Sequence, residues 1–147
     1  MGQYLDEYSA KYLYEQKRKL NRNLIVRADV KTQPTAGDPL TGMEGMTQGE
    51  SGIFGHTKLR LKCVATPQDK MPKILTTTGA CTVSNYTDST AGKKGEHHHV
   101  LGAVVVEIKN DKVFHIYHIN ARKSDGAFIF LDHEYHADGT IQKADPA

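Results

Sequence analysis

The apolar residues of this chain fall into short, strand-length runs separated by turn residues, and long amphipathic stretches are scarce. Most runs alternate with polar positions at the two-residue period of a half-buried strand. The clearest pair is residues 100–108, apolar and β-branched, and the returning run 113–119, joined through Asn110-Asp111. This pattern predicts an antiparallel hairpin. Lys109 and Lys112 flank the turn. Like charges placed directly opposite repel, so the connection is expected to be wider than two residues. A third strand, 127–131, follows the turn Ser124-Asp125-Gly126. Residues 132–136 suit a strand end or one helical turn, and Ala137-Asp138-Gly139 leads into a last short strand at Ile141.

Upstream, residues 24–30 form a β-type run. Residues 58–66 alternate, with Leu59, Leu61 and Cys63 on the expected inner face and Lys58, Arg60 and Lys62 on the outer. Residues 74–78 and 80–84 read as two strands about Gly79, and 85–95 as a polar loop. The one helical pattern lies at 4–22, where Leu5, Tyr8, Tyr12 and Leu13 follow helical spacing and no proline intervenes. Asp6 and Glu7 at its start and Lys17, Arg18, Lys19 and Arg22 at its end suit the helix dipole. Between 32 and 55 the chain is poor in hydrophobics and carries Pro34, Pro39 and six glycines at 37, 42, 45, 49, 52 and 55. A loop of this length in a compact domain is functional or disordered. It carries neither glycine-rich phosphate fingerprint, since no GxGxxG follows a strand and no Gly-Lys-Ser/Thr ends the run.

These elements predict an α+β fold: an N-terminal helix packed on a mainly antiparallel sheet, with a long Gly/Pro-rich loop over one edge. The expected organisation is a single domain over 1–147, with the helix in 1–23 and a β-rich body in 24–143 that includes the loop 32–55. A length of 147 residues is enough to bury a core without staples. The net charge of +2 compels no polyanionic partner, although a local basic patch can still form. Cys63 and Cys81 are too few for a disulfide scaffold and are expected as buried free thiols. No apolar run reaches the ~20 residues of a membrane span, and the polar start from Gln3 reads as no signal peptide. The expectation is no membrane and a cytoplasmic location, the host cytoplasm if the chain is phage-derived.

Several runs carry a resemblance when taken together: Ala28-Asp29-Val30-Lys31-Thr32-Gln33-Pro34-Thr35-Ala36, Pro39-Leu40-Thr41-Gly42, Gly49-Glu50-Ser51, Thr77-Thr78-Gly79-Ala80, Asn85-Tyr86-Thr87-Asp88 and Gly102-Ala103-Val104. They resemble a segment of phage-encoded proteins that often carry a calcineurin-like metallophosphoesterase domain elsewhere in the same chain. The likeness covers roughly residues 24–139. The phosphoesterase signatures themselves (Asp-x-His, Gly-Asp, Gly-Asn-His-Glu and Gly-His) are not assembled here, and Gly55-His56 is the one fragment. The resemblance implies a viral origin and a setting in nucleic-acid metabolism, and no phosphoesterase residue carries over. The chain is a complete protein or a part of a longer one.

Chemistry concentrates in the histidines. Of His56, His97, His98, His99, His115, His118, His133 and His136, all but the first lie between 97 and 136. A neutral imidazole ligates transition metals and serves as a general base near neutral pH. On a strand, His97 and His99 would project to one side. One reading sets His97, His99 and His115 with Glu96, or with Asp132 or Glu134, around a divalent ion (Mg, Mn or Zn) that activates water for phosphodiester cleavage. A second likens His97-x-His99 to the paired histidines of tyrosine-nucleophile nickases, with Tyr8 or Tyr12 as nucleophile, although His98 stands where a hydrophobic residue belongs. A third leaves the histidines structural or solvated. Glu107-Ile108-Lys109 matches the Glu-x-Lys half of a nuclease motif, with Asp88 or Glu50 as the missing acid. Lys58, Arg60, Lys62, Lys93 and Lys94 could line a phosphate-binding surface.

The function expected from these features is a phage nucleic-acid-processing domain. In the hydrolytic form, His97, His99, Glu107 and Lys109 carry catalysis. In the rival form, the chain is a non-catalytic module that binds nucleic acid or a host or phage protein. In a third, it is an oligomerising structural domain using the tyrosine-bearing helix.

Overall fold

Among the described residues the short runs become ten strands because each finds a partner through its backbone, as no half-buried strand can leave its ladder unpaired. The computed structural model describes residues 7–145. Three hairpins form locally. β1 (Lys17–Asn21) pairs antiparallel with β2 (Leu24–Arg27), and β4 (Leu61–Val64) with β5 (Lys73–Thr77). β6 (Gly102–Ile108) pairs with β7 (Phe114–Asn120). The first two hairpins are joined by β3 (Ser51–Phe54), which lies parallel to β2 on one side and to β5 on the other. The result is a five-stranded sheet in the order β1-β2-β3-β5-β4. β8 (Phe128–Phe130), β9 (His133–Tyr135) and β10 (Ile141–Lys143) make a separate antiparallel meander. The fold is α+β with mostly antiparallel pairing, as expected.

The helix expected over 4–22 is different. Residues 4–6 lie outside the described residues. From there α1 is a single turn, Glu7–Ala10, with no buried residue, and the basic run that follows is strand β1. Helical spacing alone is weak support when no face is buried. Asn21, whose side chain accepts the Asn23 N–H at 2.9 Å, turns β1 directly into β2, and sheet pairing prevails over the dipole argument. A second departure is α2 (Thr90–His97), where a polar loop was expected. Ser89 caps it, accepting the Gly92 N–H at 3.0 Å.

The long segment 32–55 is ordered and forms part of the core. Leu40, Phe54 and Leu75 are fully buried against one another, with Val30, Met43 and Val64 packed around them. Leu40 and Met43 therefore plug one face of the sheet from within the Gly/Pro-rich stretch. A short 3-10 turn, Glu44–Thr47, delivers the chain to β3, which is buried at every position. Gly52 is required there, because a Cβ would stand 2.4 Å from the Thr47 methyl.

The face assignment of β4 is inverted. Leu61 is 55% exposed and Cys63 is exposed, whereas Val64 packs on the core and Lys62 reaches across to Glu44. A one-residue change of phase moves every side chain to the other face, and Val64 with its core contacts sets the phase here. Both cysteines, expected as buried, are free and exposed; Cys81 lies beyond β5 in a stretch that makes one isolated bridge, Ala80 to Leu101, instead of the strand expected over 80–84.

The β6–β7 hairpin is as expected, with a wide turn closed by the Lys109 N–H donating to Val113 O at 3.1 Å. Its tip docks on the β1–β2 turn, where Arg22 N–H donates to Asp111 O at 2.8 Å and the Asn23 amide to Lys112 O at 2.8 Å. Midway, His118 Nε2 lies 2.8 Å from Thr76 Oγ1 and ties the hairpin to β5.

Candidate functional site

The sequence places four histidine-region residues as ligands or bases, and the fold does not bring them together. His97 is the last residue of α2 and His99 follows its cap, so the two share no strand face. His99 is buried, 7% exposed, with both ring nitrogens engaged: Nδ1 lies 3.0 Å from the Tyr86 hydroxyl and Nε2 2.9 Å from Thr82 O. A carbonyl can only accept, so Nε2 carries the proton and Nδ1 faces the tyrosine hydroxyl. This is a satisfied structural histidine. His115 sits in β7 opposite Glu107 of β6 and is exposed. Glu107 accepts a hydrogen bond from Tyr117 Oη at 3.0 Å, and Lys109 belongs to the hairpin turn. Glu96 is exposed on α2. Among the described residues no group of three His, Cys, Asp or Glu side chains is placed to hold a metal ion. The donor sets expected for Mg, Mn or Zn are not assembled among the described residues.

The basic residues divide differently. Lys62 pairs with Glu44, and Lys93 with Asp88 at 3.1 Å. Lys58 and Arg60 instead line a cleft of about 500 Å³, together with Gly37, Asp38, Pro39, Leu59, Val100 and two imidazoles, His97 and His98. Three segments meet there: the 37–39 loop, the stretch 58–60 that leads into β4, and the C-terminal end of α2. The loop is held in place from beneath. His56 accepts the Lys58 N–H on Nδ1 at 2.9 Å and directs Nε2 to Gln33 O at 2.9 Å. Lys58 is 8% exposed, and its ammonium is held by Ala36 O and Gly37 O. Those carbonyls take up two of its three N–H donors and leave its charge uncompensated; among the described residues it makes no ion pair with a carboxylate.

Electrostatically the cleft is positive. Asp38 is its one acidic lining residue; it stands 3.6 Å from Arg60 Nε and also accepts the Leu40 N–H at 3.0 Å. The rings of His97 and His98 meet edge to face, 4.9 Å between centroids. Partial desolvation first, then the charges of Lys58 and His97, hold the His98 imidazole below its ordinary value. Lys94 is exposed in the last turn of α2, three residues before His97. Such an arrangement favours an anion, because every added negative charge relieves cation–cation repulsion as well as gaining its own contacts.

Lys58 and Arg60 were legible as basic candidates and His97 as a candidate base. His98 was legible only as an intruder between two supposed ligands, and Asp38 gave no signal at all. Their importance comes from a loop folding back on a helix end, which no local pattern reports. No helix among the described residues is long and apolar enough to cross a membrane.

No protein-family model matches the chain, and no solved structure matches it. Over 115 residues it is 28% identical to Protein A1 of Escherichia phage T5, an alignment that takes in 76% of this chain and 21% of that protein. The chain thus spans about a fifth of that relative's length. The chain is similar to a phage protein.

Proposed function

We propose that the chain is a phage nucleic-acid-binding module that grips phosphate groups in the cleft between the 37–39 loop and the end of α2. The observation that carries this reading is the convergence of Lys58, Arg60, His97 and His98 on one cleft with a single opposing carboxylate. Phosphate contacts of this kind give sequence-tolerant, salt-sensitive binding. The similarity to a phage protein supports the setting. An association with a phosphoesterase domain in a longer polypeptide belongs to the same proposal. The hydrolytic form is less well supported, because no group of three His, Cys, Asp or Glu side chains among the described residues is placed to hold an ion.

Fluorescence anisotropy with a labelled single-stranded oligonucleotide tests the proposal. Arg60→Gln with Lys94→Gln removes two cations. Binding should weaken about tenfold or more, and the slope of log K against log salt should fall by about 1.4, the value for two lost contacts on single strands. Lys62→Gln, whose cation is already paired with Glu44, should change neither. An unchanged slope in the double variant would overturn the reading. Nicking of plasmid DNA that EDTA abolishes would restore the hydrolytic alternative.

A further inference from the structure

We infer that the cleft recognises a phosphate monoester, such as a nucleic-acid terminus, in preference to an internal diester. The inference rests on the anion-binding reading above and adds the class of phosphate.

Charge matching carries the argument. Lys58 and Arg60 against Asp38 leave one net positive charge in the cleft when both imidazoles are neutral. A diester, with one negative charge, is matched by that alone. A monoester carries about −1.5 to −2 near neutral pH, its second pKa lying near 6. It therefore leaves a negative excess that a proton on His98, in edge-to-face contact with His97, neutralises. The geometry suits this exchange. The rings touch each other, both line the cleft, and neither is committed to a carboxylate among the described residues. The charged groups that line the cleft with them are Lys58 and Arg60 from the segment before β4 and Asp38 from the opposite loop. Desolvation, Lys58 and His97 disfavour the His98 imidazolium, and a bound dianion beside it reverses that balance. His99, although adjacent in sequence, takes no part, since Tyr86 and Thr82 occupy both of its nitrogens.

Two opposing titrations bound the effect. At high pH the His98 imidazole stays neutral even with ligand present. At low pH the monoester itself takes up a proton and becomes a monoanion like a diester. Preference for the monoester should accordingly be bell-shaped in pH.

The test uses one single-stranded oligonucleotide, labelled at its 3′ end, in 5′-phosphorylated and 5′-hydroxyl forms. The phosphorylated form should bind about tenfold more tightly near pH 6.5, and the ratio should approach one by about pH 8.5. His98→Gln should flatten the profile and lower the ratio; the ring is exposed, and circular dichroism reports whether the fold is retained. Lys143→Gln, exposed on β10 of the separate meander, should leave the ratio unchanged. A nucleoside monophosphate that displaces the oligonucleotide at comparable concentration would support the same chemistry and assign it to free nucleotides. Equal binding of the two forms at every pH would overturn this inference while leaving the nucleic-acid module standing. Absence of binding by either form would overturn both.

Discussion

Two residues pull in opposite directions at the level of backbone conformation. Leu131 opens the two-residue turn between β8 and β9 with φ 55, a region costly for a branched side chain. It is 69% exposed and so gains little from burial. Leu131→Gly removes the strain and loosens the unfolded chain, and the net gain should be roughly 0.5–1 kcal/mol in urea unfolding. Gly92 is the reverse case. A Cβ there would stand 1.9 Å from Thr87 O, a backbone atom that cannot swing aside. Gly92→Ala, favourable in an open helix, should instead cost about 1–3 kcal/mol and disturb the Ser89 cap. An alanine variant as stable as the parent would contradict the packing of α2 on the 87–89 turn.

At the level of elements, the hairpins were legible because their periodicity, turn residues and burial agree. β6 and β7 need only each other to pair, and residues 102–120 announce that locally. β3 was not legible. Its four residues sit among glycines and look like loop, and only two flanking parallel strands make Ser51–Phe54 a central strand. The basic run 17–19 was misleading for a related reason: its charges suit a helix terminus as well as an exposed edge strand. Cleft residues suffered the same limit, since Asp38 and His98 acquire meaning only across a distance in sequence. The contact between His118 and Thr76 is the element-scale joint between hairpin and sheet. Thr76→Val keeps the shape and leaves the half-buried His118 imidazole without that partner. A loss of about 1–3 kcal/mol is expected, with faster amide exchange in β6 and β7.

Over the whole molecule, depressed carboxylates set the acid response. Asp125 is held at about 2, chiefly by the Arg122 guanidinium and then by the Ala127 N–H. Glu134 is lowered by Gln142 and by the same arginine. Groups depressed in the folded state contribute stability that is complete above their unfolded values, 3.8 for Asp125 and 4.5 for Glu134, and that is lost as pH falls toward their folded ones. Both are screened surface groups, so the effect is a gradual decline. Urea midpoints should hold steady down to about pH 5 and then fall, and Arg122→Ala should make that fall shallower. A decline equally steep in the variant would show that the acid response arises elsewhere. The Leu40–Phe54–Leu75 cluster governs the remaining stability: Leu75→Ala should cost about 2–5 kcal/mol, because a sheet clamped by a loop collapses poorly around a void.

The insertion of β3 between two hairpins has a kinetic corollary. Each hairpin can close early, whereas the seam between them waits for a segment that must first travel through the whole 28–50 excursion. Loop closure of that span precedes its reward, so docking of β3 should be a late event. Ile53→Val should then accelerate unfolding and leave the refolding rate nearly untouched, a φ-value near zero at the geometric middle of the sheet.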